Sequence, residues 1–150
     1  MDGQEFNILL VEDDDVDVRA IQRAFTKSNI SNQIYVANDG IEALDMLRGT
    51  PGGEAVPAPH IILLDLNMPR MGGLEFLEEL RKDQELSDSI VFVLATSDDD
   101  RDKVAAYSHH VAGYLLKTRA GTDFLNVVQM LEKFRISVQF PLRQYALNPC

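Results

Sequence analysis

The sequence holds one cysteine, Cys150, and no tryptophan among its 150 residues. A single thiol excludes an intramolecular disulfide framework and any all-cysteine metal site. It suits a reducing compartment, so a cytoplasmic location is expected. Positive charge is also short: 14 Lys and Arg against 24 Asp and Glu leave a net charge of −10. Gripping phosphate backbones needs the opposite balance, so no nucleic-acid partner is expected. No apolar run approaches the ~18–20 residues of a membrane helix. The start, MDGQEFNILL, lacks the basic and apolar regions of a signal peptide, so no membrane role is expected either. What remains is 45% hydrophobic, enough for one domain with its own core.

Five short apolar runs mark strands: Phe6 to Val11, Ile34 to Ala37, Ile61 to Leu64, Ile90 to Leu94 and Gly113 to Leu116. Most are continuous rather than alternating, as in parallel strands buried on both faces. Between them lie helical spacings: Val18, Ile21 and Phe25; Ile41, Leu44, Met46 and Leu47; Leu74, Leu77 and Leu80; Val104, Tyr107 and Val111; Phe124, Val127, Val128 and Leu131. Asp14 or Asp15 is placed to cap the first helix and Thr122 the last. Strict alternation of five β and five α elements predicts an α/β fold, a doubly wound parallel sheet with helices on both faces. The Gly- and Pro-rich stretch from Gly49 to Pro59 reads as a loop within that series. His109 and His110 read as exposed residues at a helix end, and the acidic run 98–100 as a solvated helix start.

In an open parallel sheet, ligands bind beyond the carboxyl ends of the strands. The residues found there are Glu12, Asp13 and Asp14 after the first run, Asp65 after the third, Thr96 and Ser97 after the fourth, and Lys117 after the fifth. Each has an ordinary explanation alone: a cap, a backbone partner, a solvated lysine. Their meeting at one end of four strands points to chemistry. Carboxylates without His or Cys suit a hard cation such as Mg²⁺. A lysine and a hydroxyl nearby suit phosphoryl oxygens, and an aspartate there suits a nucleophile on phosphorus.

Four stretches resemble the receiver domain of two-component response regulators: LLVEDD at 9–14, LLDLNMPRMGG at 63–73, Thr96–Ser97 after VFVLA, and GYLLK at 113–117. The resemblance spans roughly residues 6–133. It implies a flavodoxin-like sheet of order 2-1-3-4-5 with five helices. It also implies a phosphoryl group taken from a sensor histidine kinase onto Asp65 and relayed by protein contact. In that likeness Glu12 and Asp13 hold Mg²⁺ together with Asp65 and the backbone carbonyl of Asn67. Thr96 is the switch hydroxyl, Lys117 contacts phosphate, and Tyr114 is the aromatic that changes rotamer. Two departures stand out: Thr118 occupies the place of the usual proline, and Ser97 adjoins Thr96. The Gly/Pro loop and the VLATS pattern look like the single-domain regulators that serve phytochrome-type kinases.

Rival readings have specific requirements. A dehalogenase-type phosphatase needs an aspartate two residues after the nucleophile, where Asn67 stands. A nucleotide-binding module needs a glycine-rich first turn, where Glu12-Asp13-Asp14 stands. A receiver-like scaffold that is never phosphorylated, or a mere dimerisation module, is the remaining alternative. Residues 134–150 are expected to form an extended arm, since Ile136, Val138, Phe140 and Leu142 alternate with other residues. Seventeen residues are too few for a DNA-binding element, so output is expected through protein contact or onward phosphotransfer. The arm's apolar face needs a surface, either its own domain or, as preferred, a second copy beside the fifth helix, giving a homodimer.

Overall fold

A computed structural model of the chain describes residues 6–28, 33–49, 55–68, 70–96, 98–117 and 124–137, the last three as backbone only. Strands and helices alternate: β1 (Asn7–Val11), α1 (Asp15–Lys27), β2 (Ile34–Ala37), α2 (Gly40–Arg48), β3 (His60–Asp65), α3 (Gly73–Lys82), β4 (Ile90–Ala95), α4 (Asp100–Ser108), β5 (Gly113–Leu116) and α5 (Leu125–Ser137). All pairings are parallel, and the strand order is β2-β1-β3-β4-β5. The predicted topology and all five strands are therefore present, with ends within one residue of those read from the apolar runs.

The continuous apolar runs divide between two faces, because successive side chains of a strand point to opposite sides. Leu9, Val11, Ile62, Leu64, Val91 and Val93 pack with α2, α3 and Ala106 of α4. Ile8, Leu10, Ile61, Leu63, Phe92 and Leu94 pack with Ile21, Ala24 and Phe25 of α1 and Val127, Val128 and Leu131 of α5. Asp14 caps α1, accepting from the amides of Val16 and Asp17. Asp39 does the same for α2 from the amide of Glu42, and Asp99 caps α4 from that of Arg101.

Two helical readings need correction. The expected inner stripe of α4 faces water: Val104 is 69% and Tyr107 50% exposed, while Ala106 is the buried residue of this helix. A helix lying close over β4 and β5 leaves room only for a small side chain, so size rather than hydrophobicity selects the inner face. Val111, the third member, is buried but lies beyond the helix. At the other end, α5 runs to Ser137, so Ile136 stands in helix and not in an extended arm. Phe134 packs its ring edge-on against Phe92, centroids 5.6 Å apart, and belongs to the domain. Thr118, Thr122, Ser97 and the alternating residues from 138 onward lie outside the described residues.

Candidate functional site

Register assembles the acidic end of the sheet. Val11 pairs with Leu64, so Glu12 and Asp65 leave adjacent strands side by side. Ala95 pairs with Leu116, so Thr96 and Lys117 follow as the next pair across β4 and β5. Glu12 and Asp65 are buried at 1% and 5% exposure, whereas Asp13 is open to water. Carboxylate oxygens of Glu12, Asp13 and Asp65 lie within 4.8 Å of one another. Three oxygen donors at that spacing, one side open to water, fit a hard cation that keeps part of its hydration shell.

Lys117 closes the cluster. Its Nζ donates to Glu12 Oε1 at 2.7 Å and to Asp17 Oδ2 at 2.8 Å, and stands 3.8 Å from Asp65 Oδ2. Burial alone would lower the lysine pKa, but hydrogen bonds to Asp17 and Glu12 outweigh it and hold the ammonium above its ordinary value. Glu12 is displaced the other way: burial first, then the neighbouring Asp65, push its carboxyl up to about 8, against the pull of Lys117. A cation bound among these carboxylates would reverse that displacement.

The loop after β3 carries the remaining acceptor. The amide of Asn67 donates to Asp65 Oδ1 at 3.2 Å, which fixes one carboxylate oxygen. Gly73 begins α3 directly against this turn, its amide donating to Leu66 O at 3.0 Å. A Cβ at Gly73 would lie 2.6 Å from Leu66 Cα and 2.7 Å from Asp65 O, so the close approach requires glycine. Farther along, Arg70, at φ 62°, donates from Nε to Asp39 Oδ2 at 2.6 Å. Burial would raise the Asp39 pKa, but the Glu42 amide and the Arg70 guanidinium hold it below the usual carboxylate range. The loop is thereby tied to the capped start of α2.

Glu12, Asp13, Asp65 and Lys117 thus come together as the sequence implied. Asn67 stands beside them, and Thr96 is exposed at the end of β4. Tyr114 pairs with Val93, two positions before the Ala95–Leu116 pair, and packs partly buried against the α2–α3–α4 side of the core. Asp17 and the Asp39–Arg70 tie were not anticipated. The available signal for Asp17 was an acidic residue three places after a helix cap, which ordinarily serves only the helix dipole.

Comparison with known proteins agrees with this geometry. The model of the response regulator receiver domain matches residues 8–129. Response regulator Rcp1 of Synechocystis sp. is 39% identical over 127 residues, 85% of this chain and 86% of that protein. The probable methanogenesis regulatory protein FilR2 of Methanothrix harundinacea is 37% identical over 129 residues, covering 86% and 83%. The crystal structure of Rcp1 in its Mn²⁺-bound form superposes with a TM-score of 0.79 at 37% identity, over 91% of this chain and 99% of that one. That of the phosphorylated cyanobacterial phytochrome response regulator RcpA gives 0.77 at 34%, over 91% and 98%. This chain belongs to the response regulator receiver domain family, whose general function is to accept a phosphoryl group in two-component signalling.

Proposed function

We propose that Asp65 is the phosphoacceptor and that the chain takes its phosphoryl group from a sensor histidine kinase. The observation that carries this is one buried carboxylate at the end of β3, flanked by the Glu12–Asp13 pair and faced by Lys117. A carboxylate oxygen of Asp65 attacks phosphorus, the O–P bond forms, and the donor's P–N bond breaks with its electron pair leaving on the histidine nitrogen. Glu12, Asp13, Asp65 and the carbonyl of Asn67 are the groups that would hold Mg²⁺. Bound there, the ion supplies charge neutralisation for the phosphoryl oxygens. Lys117 offers a mobile cation to one such oxygen, and Thr96, next to it across the sheet, offers a hydroxyl to another. Tyr114 stands on β5, the strand that ends just before Lys117, which supports its role in passing the change to the α4–β5–α5 surface.

The likeness to Rcp1 and RcpA supports a phytochrome-type kinase as partner. In the test, acetyl phosphate and Mg²⁺ label the wild type, as seen by phosphate-affinity gel mobility, and leave Asp65→Asn unlabelled but folded. Equal labelling of Asp65→Asn would overturn the assignment, and an unlabelled wild type would leave the scaffold reading.

We also propose that residues after α5 form an arm that pairs with a second copy. The sequence alternation from Val138 to Leu142 supports it, as does an open groove of about 280 Å³ beside α5, lined by Leu115, Leu116, Val127 and Met130. A chain ending at Ser137, which keeps Phe134 in place, should be monomeric by light scattering where the full chain is dimeric. A truncated dimer or a full-length monomer refutes the arm.

A further inference from the structure

Lys117 has three N–H donors, and two of them are spent on carboxylates other than Asp65. One of those carboxylates, Asp17, is not part of the Glu12–Asp13–Asp65 cluster. It comes from α1, one turn after the Asp14 cap, and reaches Lys117 at 2.8 Å while Asp65 stays at 3.8 Å. The side chains of Lys117 and Asp17 are 12% and 23% exposed, so the contact is sheltered from solvent screening. No backbone amide or other cation among the described contacts competes for that Asp17 oxygen.

We propose that Asp17 is a positioning residue for Lys117. It shares the ammonium with Glu12 and so holds it off Asp65. The Asp65 oxygen and the exposed Asp13 stay open to a cation and to the incoming phosphoryl group. Without Asp17, the ammonium moves in between Glu12 and Asp65, where it competes directly with a divalent ion. This deepens the reading of Asp65 and its cluster given above.

A double-mutant cycle in the full chain tests the proposal, with Mg²⁺ as the probe and tyrosine fluorescence or calorimetry as the readout. Asp17→Asn should raise the Mg²⁺ concentration for half-saturation roughly 3–10-fold, the scale of one partly screened charge displaced by a few ångström. In a Lys117→Met background the same change should have little effect, because the lysine it positions is gone. An undiminished effect in that background means Asp17 acts only as general negative charge and overturns the proposal. Asp17→Glu should recover most of the wild-type affinity. Independently, the Lys117 Nζ resonance of the metal-free protein should shift in Asp17→Asn, and an unmoved resonance overturns the proposal too. That readout stands if Lys117→Met does not fold. It also separates this inference from the cation reading, which fails alone if the wild type binds no Mg²⁺ while the Nζ resonance shifts.

Discussion

Each end of the sheet is organised around one half-buried cation, and the two are held in opposite ways. At the carboxyl end Lys117 lies among the carboxylates of Glu12, Asp17 and Asp65. At the amino end Arg81 of α3 donates to four backbone carbonyls. Nε reaches His109 O at 2.6 Å, Nη1 reaches Ser87 O at 2.9 Å and Ser89 O at 2.7 Å, and Nη2 reaches His110 O at 2.9 Å. The guanidinium fork thus closes the α3–β4 and α4–β5 connections onto α3. Three of the four bonds are partly buried, and neutral carbonyls offer nothing to a metal-for-ammonium exchange, so this clamp is structural. Carboxylates bound to a lysine can exchange it for a metal ion or a phosphoryl oxygen. The same fold is locked at one end and exchangeable at the other, and the proposed phosphoryl chemistry belongs to the exchangeable end.

Breaking the locked end should have the larger effect on stability. Arg81→Ala leaves several sheltered carbonyls without their donor, which should cost roughly 3 kcal/mol in urea denaturation. Phosphorylation by acetyl phosphate should change little, because Arg81 lies at the opposite end of the sheet from Asp65. A stability loss under about 1 kcal/mol would contradict the clamp.

The next effect is pH-dependent. His60 begins β3 at the amino end, 5% exposed, with Nε2 3.2 Å from Ser89 Oγ. Burial drives its pKa down to about 4. Between the ordinary value of 6.5 and about 4, the unfolded chain binds a proton that the folded one refuses, so stability falls as pH falls through that window. The His60 share of that loss between pH 7 and pH 5, read as the difference between wild type and His60→Gln, should be about 2 kcal/mol. His60→Gln should flatten that slope. Glu12 works in the opposite direction: raised above its ordinary 4.5 to about 8, it binds a proton in the folded state that the unfolded chain has released. Stability of the metal-free protein should therefore decline from pH 6.5 to 8, and Mg²⁺ should abolish that decline. A stability curve rising through this interval without metal would contradict the buried, metal-free state of Glu12.

What was legible in the sequence follows the same division. Glu12, Asp13, Asp65, Thr96 and Lys117 each lie within two residues of the end of an apolar run, so strand ends and parallel topology suffice to gather them. Asp17, Asp39 and Arg70 depend on how helices and loops lean against that end, which no local pattern encodes. Arg81 and His60 resemble an ordinary helix-end arginine and an ordinary residue before a strand until tertiary packing surrounds them. The α4 stripe misled for a related reason: Val104 and Tyr107 carry the helical spacing, but the space beneath the helix admits only Ala106. The strand pattern was more informative because burial on both faces leaves no choice of face to get wrong.

Lys117 should exchange partners when Asp65 takes the proposed phosphoryl group, and Arg81 should not. The Lys117 Nζ and Arg81 Nε resonances can be followed by ¹⁵N NMR before and after phosphorylation by acetyl phosphate with Mg²⁺. The Lys117 signal should move as the ammonium leaves Asp17 and Glu12 for a phosphoryl oxygen, while the Arg81 signal should stay in place. An unmoved Lys117 signal in fully phosphorylated protein, or an Arg81 signal that moves as far, would contradict this exchange.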